Sequence, residues 1–310
     1  MISATRQVLS AALFGGLVLT GTLSPAAWAE EITITHAQGE TTINGKPETV
    51  IVTDWAAFDN LNALGVPVAG IPATNAPKYL EAKLPADALK VGSLQEPDIE
   101  GIAAAAPDLV IVASRSRRSY PTLATIAPTV DFSIDNNALI EGVEARITQY
   151  GDIFGLQDRA AELIASLNAK LDEARAAVKD KGNALVIVTN GNKLGIYGPE
   201  SRVSWVYNEL GIPSVFETVD DRDHGGNAIS FEYLLEKNPD WLIVVDRDAG
   251  VGNEGGAEAL LDNDLVHQTN AWKNKKILYI DPQAAYVTMH GYQALMLMLD
   301  QVIAAYGAAS

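Results

Sequence analysis

Two segments of the chain match one another without a gap, and this repeat limits the possible folds more than any other feature of the sequence. The segment IEGIAAAAPDLVIVASR begins at Ile99, and FEYLLEKNPDWLIVVDR begins at Phe231. Internal similarity of this kind indicates a duplicated structural unit. The matched pairs are Glu100 with Glu232, Pro107 with Pro239, Asp108 with Asp240 and Arg115 with Arg247.

Each copy predicts a helix, a Pro-Asp turn and a buried strand, and then places an arginine after the strand. Helix, turn and strand form a common unit, so this part of the similarity can also arise without duplication. The arginine is not explained in that way, because it follows the carboxyl end of the strand, where ligands of open α/β sheets bind. The repeat therefore predicts that Arg115 and Arg247 face each other across a cleft.

Apolar runs alternate with amphipathic segments on both sides of one long helical pattern. A continuous apolar run such as 109–113 is typical of a parallel strand covered on both faces. The helical pattern extends from about Leu139 to Lys179, with weak points at Gly142, Gly151 and Gly155. We therefore predict an α/β protein with two Rossmann-like lobes, each with a mostly parallel sheet, joined by one long backbone helix beside a ligand cleft. The predicted boundaries are 30–137 for the first lobe, 138–182 for the helix and 183–310 for the second lobe.

Residues 1–29 have the pattern of a secretory signal peptide. Arg6 precedes an apolar run from Val8 to about Leu19, and small residues then lead to Ala29, after which we expect cleavage. A membrane anchor is the alternative, but the run is short for a span of about 20 residues. Because the chain contains no cysteine that a lipid could modify, we expect a freely diffusing periplasmic protein from a Gram-negative bacterium.

The charge and the motif content bear on the class of function. The formal net charge is −17, and loss of residues 1–29 removes one arginine and no acid, which gives −18. Such an acidic chain is not expected to bind nucleic acid or anionic lipid. The sequence has no GxSxG elbow, Walker loop or HExxH helix. We therefore expect a binding protein and not an enzyme, with a periplasmic hydrolase as the weaker alternative.

The chain resembles the periplasmic binding proteins of ABC importers for iron siderophores and vitamin B12. The likeness extends over the mature chain, from THAQGETTINGKPETVIV through VGSLQEPDIEGIAAAAPDLVIVAS to NKKILYIDP. Within that family, DHGGNAISFEYLLEKNPDWLIVVDRDAGVGNEGGAEALLDNDLV and DPQAAY are most similar to the binders of ferric catecholate siderophores of the enterobactin type. The resemblance implies a monomer without a permanent cofactor that delivers a ferric siderophore to an inner-membrane ABC permease.

The resemblance also implies that Arg115, Arg202 and Arg247 line the pocket. A catecholate complex of Fe(III) keeps a net negative charge, and guanidinium groups pair well with planar oxygen ligands. Haem, vitamin B12, a hydroxamate chelate and a bare metal ion stay open as alternative ligands. A neutral hydroxamate complex would gain less from three arginines, and a bare divalent ion usually needs several converging histidines and carboxylates.

Two further residues match positions that ligate iron directly in relatives that bind tetradentate siderophores, namely His224 and Tyr286. Fe(III) takes six ligands, and a siderophore with two catechols supplies four oxygens. A phenolate and an imidazole would complete the set, since a highly charged metal lowers the pKa of a coordinated phenol and imidazole binds iron. The resemblance therefore implies that these two residues bind the Fe(III) of the cargo.

The remaining polar and aromatic candidates have less specific roles. The resemblance implies that Glu100 and Glu232 meet arginines of the permease, although a carboxylate at a helix N-terminus is also stabilised by the helix dipole. We expect His290 to be structural or solvent-facing, even though it lies four residues beyond Tyr286. The aromatic residues that fit either the pocket or the core equally well are Trp55, Tyr120 and Trp205.

Overall fold

The structure is a computed structural model that describes residues 31–216 and 226–308. The predicted signal peptide, residues 1–29, lies outside the described residues, and so does His224. Within the two described ranges, no helix combines the length and the apolar character needed to cross a membrane.

The first half of the chain forms a two-stranded hairpin and a five-stranded parallel sheet. Its elements are β1 (Glu31–His36), β2 (Gly39–Asn44), β3 (Val50–Val52), α1 (Trp55–Leu64), β4 (Gly70–Ile71), α2 (Lys78–Glu81), β5 (Leu89–Lys90), α3 (Ile99–Ala104), β6 (Leu109–Val112), α4 (Tyr120–Leu123) and β7 (Thr129–Asp131). Strands β1 and β2 pair with each other in antiparallel orientation. The parallel sheet has the strand order β5-β4-β3-β6-β7.

The second half forms a five-stranded mixed sheet. Two helices, α5 (Leu139–Phe154) and α6 (Gln157–Val178), lead into it. Its elements are β8 (Ala184–Asn190), β9 (Lys193–Tyr197), α7 (Ser204–Asn208), β10 (Asn227–Ile229), α8 (Phe231–Lys237), β11 (Trp241–Asp246), α9 (Arg247–Gly250), α10 (Ala257–Leu261), α11 (Asn270–Lys273), β12 (Ile277–Tyr279), α12 (Pro282–Tyr286) and α13 (Tyr292–Ala308). The strand order is β10-β9-β8-β11-β12, in which β8, β11 and β12 are parallel and β9 is antiparallel to both of its neighbours.

The two sheets repeat the same local design at the amino ends of their central strands. In the first half, the Asp108 carboxylate accepts a hydrogen bond from the Thr49 amide at 2.8 Å, just before β3. In the second half, the Asp240 carboxylate accepts one from the Asn183 amide at 3.1 Å, just before β8. Both aspartates belong to the Pro-Asp turns of the sequence repeat. The predicted α/β architecture with mostly parallel sheets is confirmed, and each sheet lies inside one of the predicted lobes.

A long helix lies in the connection between the halves, as predicted, and the helical segment from Leu139 to Lys179 is divided at the weak point Gly155. Helix α5 ends at Gly155, which adopts the left-handed conformation at φ 65° and ψ 38°. Glycine takes this conformation at little steric cost and commonly ends helices in this way. Helix α6 then continues for 22 residues. The weak point that the sequence marks at Gly155 is therefore a real break, and α6 is the long helix of the connection.

The C-terminal helix connects the two halves a second time. Helix α13 follows the second sheet in the chain, yet it packs along α6 and against α1 of the first half. Its apolar face is fully buried at Leu295, Met298 and Val302. The first half is therefore held to the second both by the α5–α6 connection and by the packing of α13.

Candidate functional site

Arg115 and Arg247 occupy the positions that the repeat predicts for them. Arg115 follows β6 after two residues, and Arg247 is the first residue of α9, directly after β11. The Asp246 carboxylate holds the backbone around Arg247, because it accepts hydrogen bonds from the Ala249 amide at 3.1 Å and the Gly256 amide at 2.9 Å. Both arginines therefore lie at the carboxyl edge of a sheet, and local hydrogen bonds fix the backbone around Arg247.

The side chains of three arginines converge on the ring of Tyr286. The guanidinium carbon of Arg202 lies 4.5 Å from the ring centroid, and those of Arg115 and Arg247 each lie 5.7 Å from it. Arg247 also donates from Nε to the Tyr286 hydroxyl oxygen at 3.1 Å. Arg115 donates from Nη2 to the Tyr286 carbonyl oxygen at 2.8 Å. Side chains from both halves of the molecule thus meet at one tyrosine.

Tyr286 itself is held by the short helix α12 and by a close approach to α9. The Asp281 side chain caps α12 by accepting from the Gln283 and Ala284 amides. A Cβ atom added to Gly250 would lie 2.9 Å from the Tyr286 Cβ atom. Only glycine allows this spacing between the helices, so Gly250 determines how closely Tyr286 approaches Arg247.

The site has an excess of positive charge. Arg247 has a carboxylate neighbour, since its Nη1 lies 3.7 Å from the Asp248 side chain. Burial is the main cause that lowers the pKa of Arg115, the buried Asp54 partly offsets this effect, and Arg202 adds repulsion. Burial also raises the pKa of Asp54, which weakens it as a counter-ion. Among the described residues, Nη1 of Arg202 is buried and has no hydrogen-bond partner. This arrangement favours an anionic ligand that carries several oxygen acceptors.

The sequence matches the periplasmic binding protein family over residues 50–284. The chain belongs to this family. It is 33% identical over 282 residues to the ferric-anguibactin-binding protein FatB of Vibrio anguillarum, covering 89% of this chain and 87% of FatB. It is 31% identical over 278 residues to the petrobactin-binding protein YclQ of Bacillus subtilis, covering 88% of this chain and 87% of YclQ. The crystal structure of YclQ superposes with a TM-score of 0.85.

A third relative is a solved structure with similar coverage. The periplasmic catecholate-siderophore binding protein VctP of Vibrio cholerae is 31% identical, with a TM-score of 0.82 and coverage of 90% of this chain and all of VctP. The predicted family and fold class are therefore confirmed, and the chain is an extracytoplasmic substrate-binding protein of the type that serves ABC importers.

In this periplasmic binding protein, His290 is a neighbour of the arginines and is not solvent-facing. Its Nε2 lies 2.9 Å from Oδ1 of Asn136, and its Nδ1 lies 3.3 Å from the Ser114 hydroxyl. Burial, followed by the positive charges of Arg202 and Arg115, lowers the pKa of His290 to about 3. The imidazole is therefore neutral under physiological conditions and adds no charge to the site. Of the two expected roles, the structural one agrees with these contacts.

Glu100 and Glu232 are exposed and lie in the first turns of α3 and α8. Each helix runs antiparallel to the strand that follows it, so each begins near the carboxyl edge of its sheet, where the arginines also lie. The backbone amide of Glu232 and the Ser230 hydroxyl hold the pKa of Glu232 below its usual value. The two carboxylates are thus placed on the cleft side of both halves.

The aromatic candidates belong to the core or to another part of the first half. Trp55 is 1% exposed and donates from Nε1 to Thr74, and Trp205 is 2% exposed. Tyr120 packs beside His36 with ring centroids 5.3 Å apart. Of the two roles expected for the tryptophans, their burial therefore favours core packing over the pocket. Within the described residues, no group of three or more His, Cys, Asp or Glu side chains is placed to hold a metal ion.

Sequence reasoning missed the residues that hold the arginines and tyrosine in place. Asp246 bonds the Gly256 amide 10 residues further along the chain, and Gly250 acts through its close approach to Tyr286 on another helix. Asn190, at the end of β8, accepts from Nη1 of Arg247 at 3.3 Å. Position in the sequence was the one feature that could have identified Asp246, Gly250 and Asn190, because all three lie at or just beyond the carboxyl end of a strand.

The environment of His290 leads to a titration prediction. Between pH 7 and pH 4.5, the ring resonances of His290 should stay at their neutral positions, because a folded pKa of about 3 keeps the imidazole unprotonated. Histidine-selective NMR of the folded protein tests this, with the resonances assigned from a His290→Asn variant. Arg202→Gln should raise the pKa by removing a positive neighbour. Titration of His290 near pH 6.5 in the native protein would contradict the prediction.

Proposed function

We propose that the protein captures an anionic ferric catecholate siderophore between its lobes and delivers it to an ABC permease for iron uptake. The observation that carries this proposal is the convergence of three guanidinium groups on one tyrosine in a protein of net charge −17. The relatives FatB, YclQ and VctP, which are named for the siderophores they bind, support the same cargo class. The protein acts by binding and release and not by catalysis.

The chemistry of the site suits such a cargo. Each catecholate oxygen pair offers two adjacent acceptors to the paired N–H groups of a guanidinium. The buried Nη1 of Arg202 lacks a partner among the described residues and would gain one from the cargo. A neutral hydroxamate chelate offers less charge to three arginines, so we place it second.

We also propose that residues 1–29 are removed on export and that the mature protein diffuses freely in the periplasm. The N-terminal residue of the exported protein would report the cleavage.

Iron ligation by the protein is the second part of the proposal. Tyr286 is 6% exposed, and its hydroxyl oxygen accepts from Arg247, which stabilises negative charge on that oxygen. We propose that Tyr286 and His224 bind Fe(III) when a siderophore leaves two coordination positions open. A hexadentate siderophore leaves none, so the same cleft would hold it through the arginines alone.

Neutralising the arginines tests the cargo class. Arg115→Gln, Arg202→Gln and Arg247→Gln in combination should weaken binding of a ferric tris-catecholate by about 100-fold or more, since a charged hydrogen bond contributes about 1.5–3 kcal/mol and each tenfold is about 1.4 kcal/mol. Quenching of the intrinsic tryptophan fluorescence measures the affinity. Arg159→Gln, on the exposed surface of α6, is the matched control. Unchanged affinity in the triple variant would mean that the cargo binds elsewhere.

Siderophores of different denticity test the iron ligands. Tyr286→Phe and His224→Ala should each weaken a ferric bis-catecholate by about tenfold or more, because each removes a metal ligand. Affinity for a tris-catecholate should change little. The phenolate-to-iron charge-transfer absorption of the bis-catecholate complex should be lost in Tyr286→Phe. If neither substitution weakens the bis-catecholate complex, direct ligation is wrong while the cargo class stands.

We further propose that Glu100 and Glu232 dock the two lobes onto arginines of the permease. Their exposure and their matched positions on the cleft side of both halves support this role. Glu100→Gln with Glu232→Gln should leave siderophore affinity unchanged and reduce stimulation of the ATPase of the reconstituted transporter several-fold. Glu236→Gln, which is exposed on the same helix as Glu232, controls for a general loss of charge. Full stimulation by the double variant would rule out the docking role.

A further inference from the structure

The segment 286–294 belongs to the second half in the chain but is held by residues of the first half. Arg115 bonds the Tyr286 carbonyl, and Asn60 donates to the His290 carbonyl at 3.1 Å. Asn60 also accepts from the Tyr292 amide at 2.8 Å. The backbone that follows Tyr286 is therefore fixed to α1 and to the loop after β6.

Asp59 is the centre of this connection. It is fully buried on α1, and its carboxylate accepts from the Gln293 amide at 2.7 Å and from the Ala294 amide at 3.1 Å. These amides belong to the first turn of α13, whose N–H groups have no partner within the helix. Asp59 thus caps a helix from a different part of the chain.

Tyr79 extends the connection towards the site. Its hydroxyl donates to Oδ2 of Asp59 at 2.7 Å and lies 2.7 Å from the Thr288 hydroxyl. Thr288 is fully buried and is two residues beyond Tyr286. Asp59 is therefore linked through one side chain to the turn that carries Tyr286.

The approach of Asp59 depends on a glycine. A Cβ atom on Gly291 would lie 2.6 Å from the Asp59 Cγ atom, which is closer than real Cβ contacts. The turn between α12 and α13 thus has space for the carboxylate and for nothing larger. The contact is closely packed as well as hydrogen-bonded.

The ring of Tyr286 is held from the other side. Arg247 bonds its hydroxyl oxygen, and Gly250 leaves the space against which its Cβ atom packs. The first half thus fixes the backbone on the carboxyl side of Tyr286, and the second half fixes the ring. Both restraints are needed to determine where the phenol oxygen lies.

We propose that Asp59, acting through α13 and Tyr79, is a positioning residue for Tyr286, so that the phenol oxygen is in place for Fe(III) before the cargo arrives. This inference rests on the proposed ligation of iron by Tyr286. It assigns to Asp59 a role in binding tetradentate cargo that a purely stabilising residue would not have.

The test compares two siderophore complexes on the full-length mature protein. Asp59→Asn and, as a milder change that should retain the fold, Tyr79→Phe should each weaken ferric bis-catecholate binding by about tenfold, the usual effect of losing a group that orients a metal ligand. Tris-catecholate affinity should change less than about twofold, since it depends on the arginines. The phenolate-to-iron absorption should weaken in parallel.

Asp240→Asn is the matched control, because it removes a carboxylate acceptor at the opposite edge of the second sheet. It should leave both affinities unchanged. The positioning role would be overturned if the variants lost affinity for both complexes equally. It would also be overturned if Tyr79→Phe lost affinity for neither complex. A native protein that binds the tris-catecholate but shows no phenolate-to-iron absorption with the bis-catecholate would instead remove the premise of ligation.

Discussion

The repulsion between three guanidinium groups is the constraint on which the arrangement of the site depends. Like charges repel strongly where water is partly excluded, and burial already lowers the pKa of Arg115. The site offsets this cost with neutral acceptors and a ring face more than with carboxylates. Arg115 uses backbone carbonyls, Arg247 uses Asn190 and a phenol oxygen, and the electron-rich face of Tyr286 lies near all three arginines. Among the described residues, these partners leave the guanidinium charges only weakly compensated, which favours an anionic ligand.

Holding these charges requires fixed backbone on both sides of the cleft. Parallel sheets supply it, because the carboxyl ends of their central strands are anchored by pairing with neighbours on both sides. The second connection through α13 adds to this rigidity, since α13 follows the second sheet in the chain and packs against α1 of the first half. The break at Gly155 therefore does not leave the two halves joined by a single flexible point.

The sequence was informative where the chemistry is local and less so where it depends on contacts between distant segments. The repeat predicted the strands before Arg115 and Arg247 because a buried strand and its Pro-Asp turn are local patterns. Arg202 came from the family resemblance, since one arginine on a loop has no pattern of its own. The capping of α13 by Asp59 joins residues more than two hundred positions apart, with no local signal. At Gly155 the sequence showed a weak point, but only the structure shows that the backbone takes the left-handed conformation there.

The two halves differ most between their first strand and the helix that follows it. In the first half, β3 passes directly to α1, whereas the second half inserts β9 and the segment that carries Arg202 between β8 and α7. Arg115 and Arg247 are related by the repeat, and Arg202 has no counterpart. The charge of the site is therefore divided unequally, because Arg202 and Arg247 belong to the second half and Arg115 belongs to the first. An anion that paired with all three arginines would therefore make more charged contacts with the second half than with the first, and its release would depend mainly on the second half.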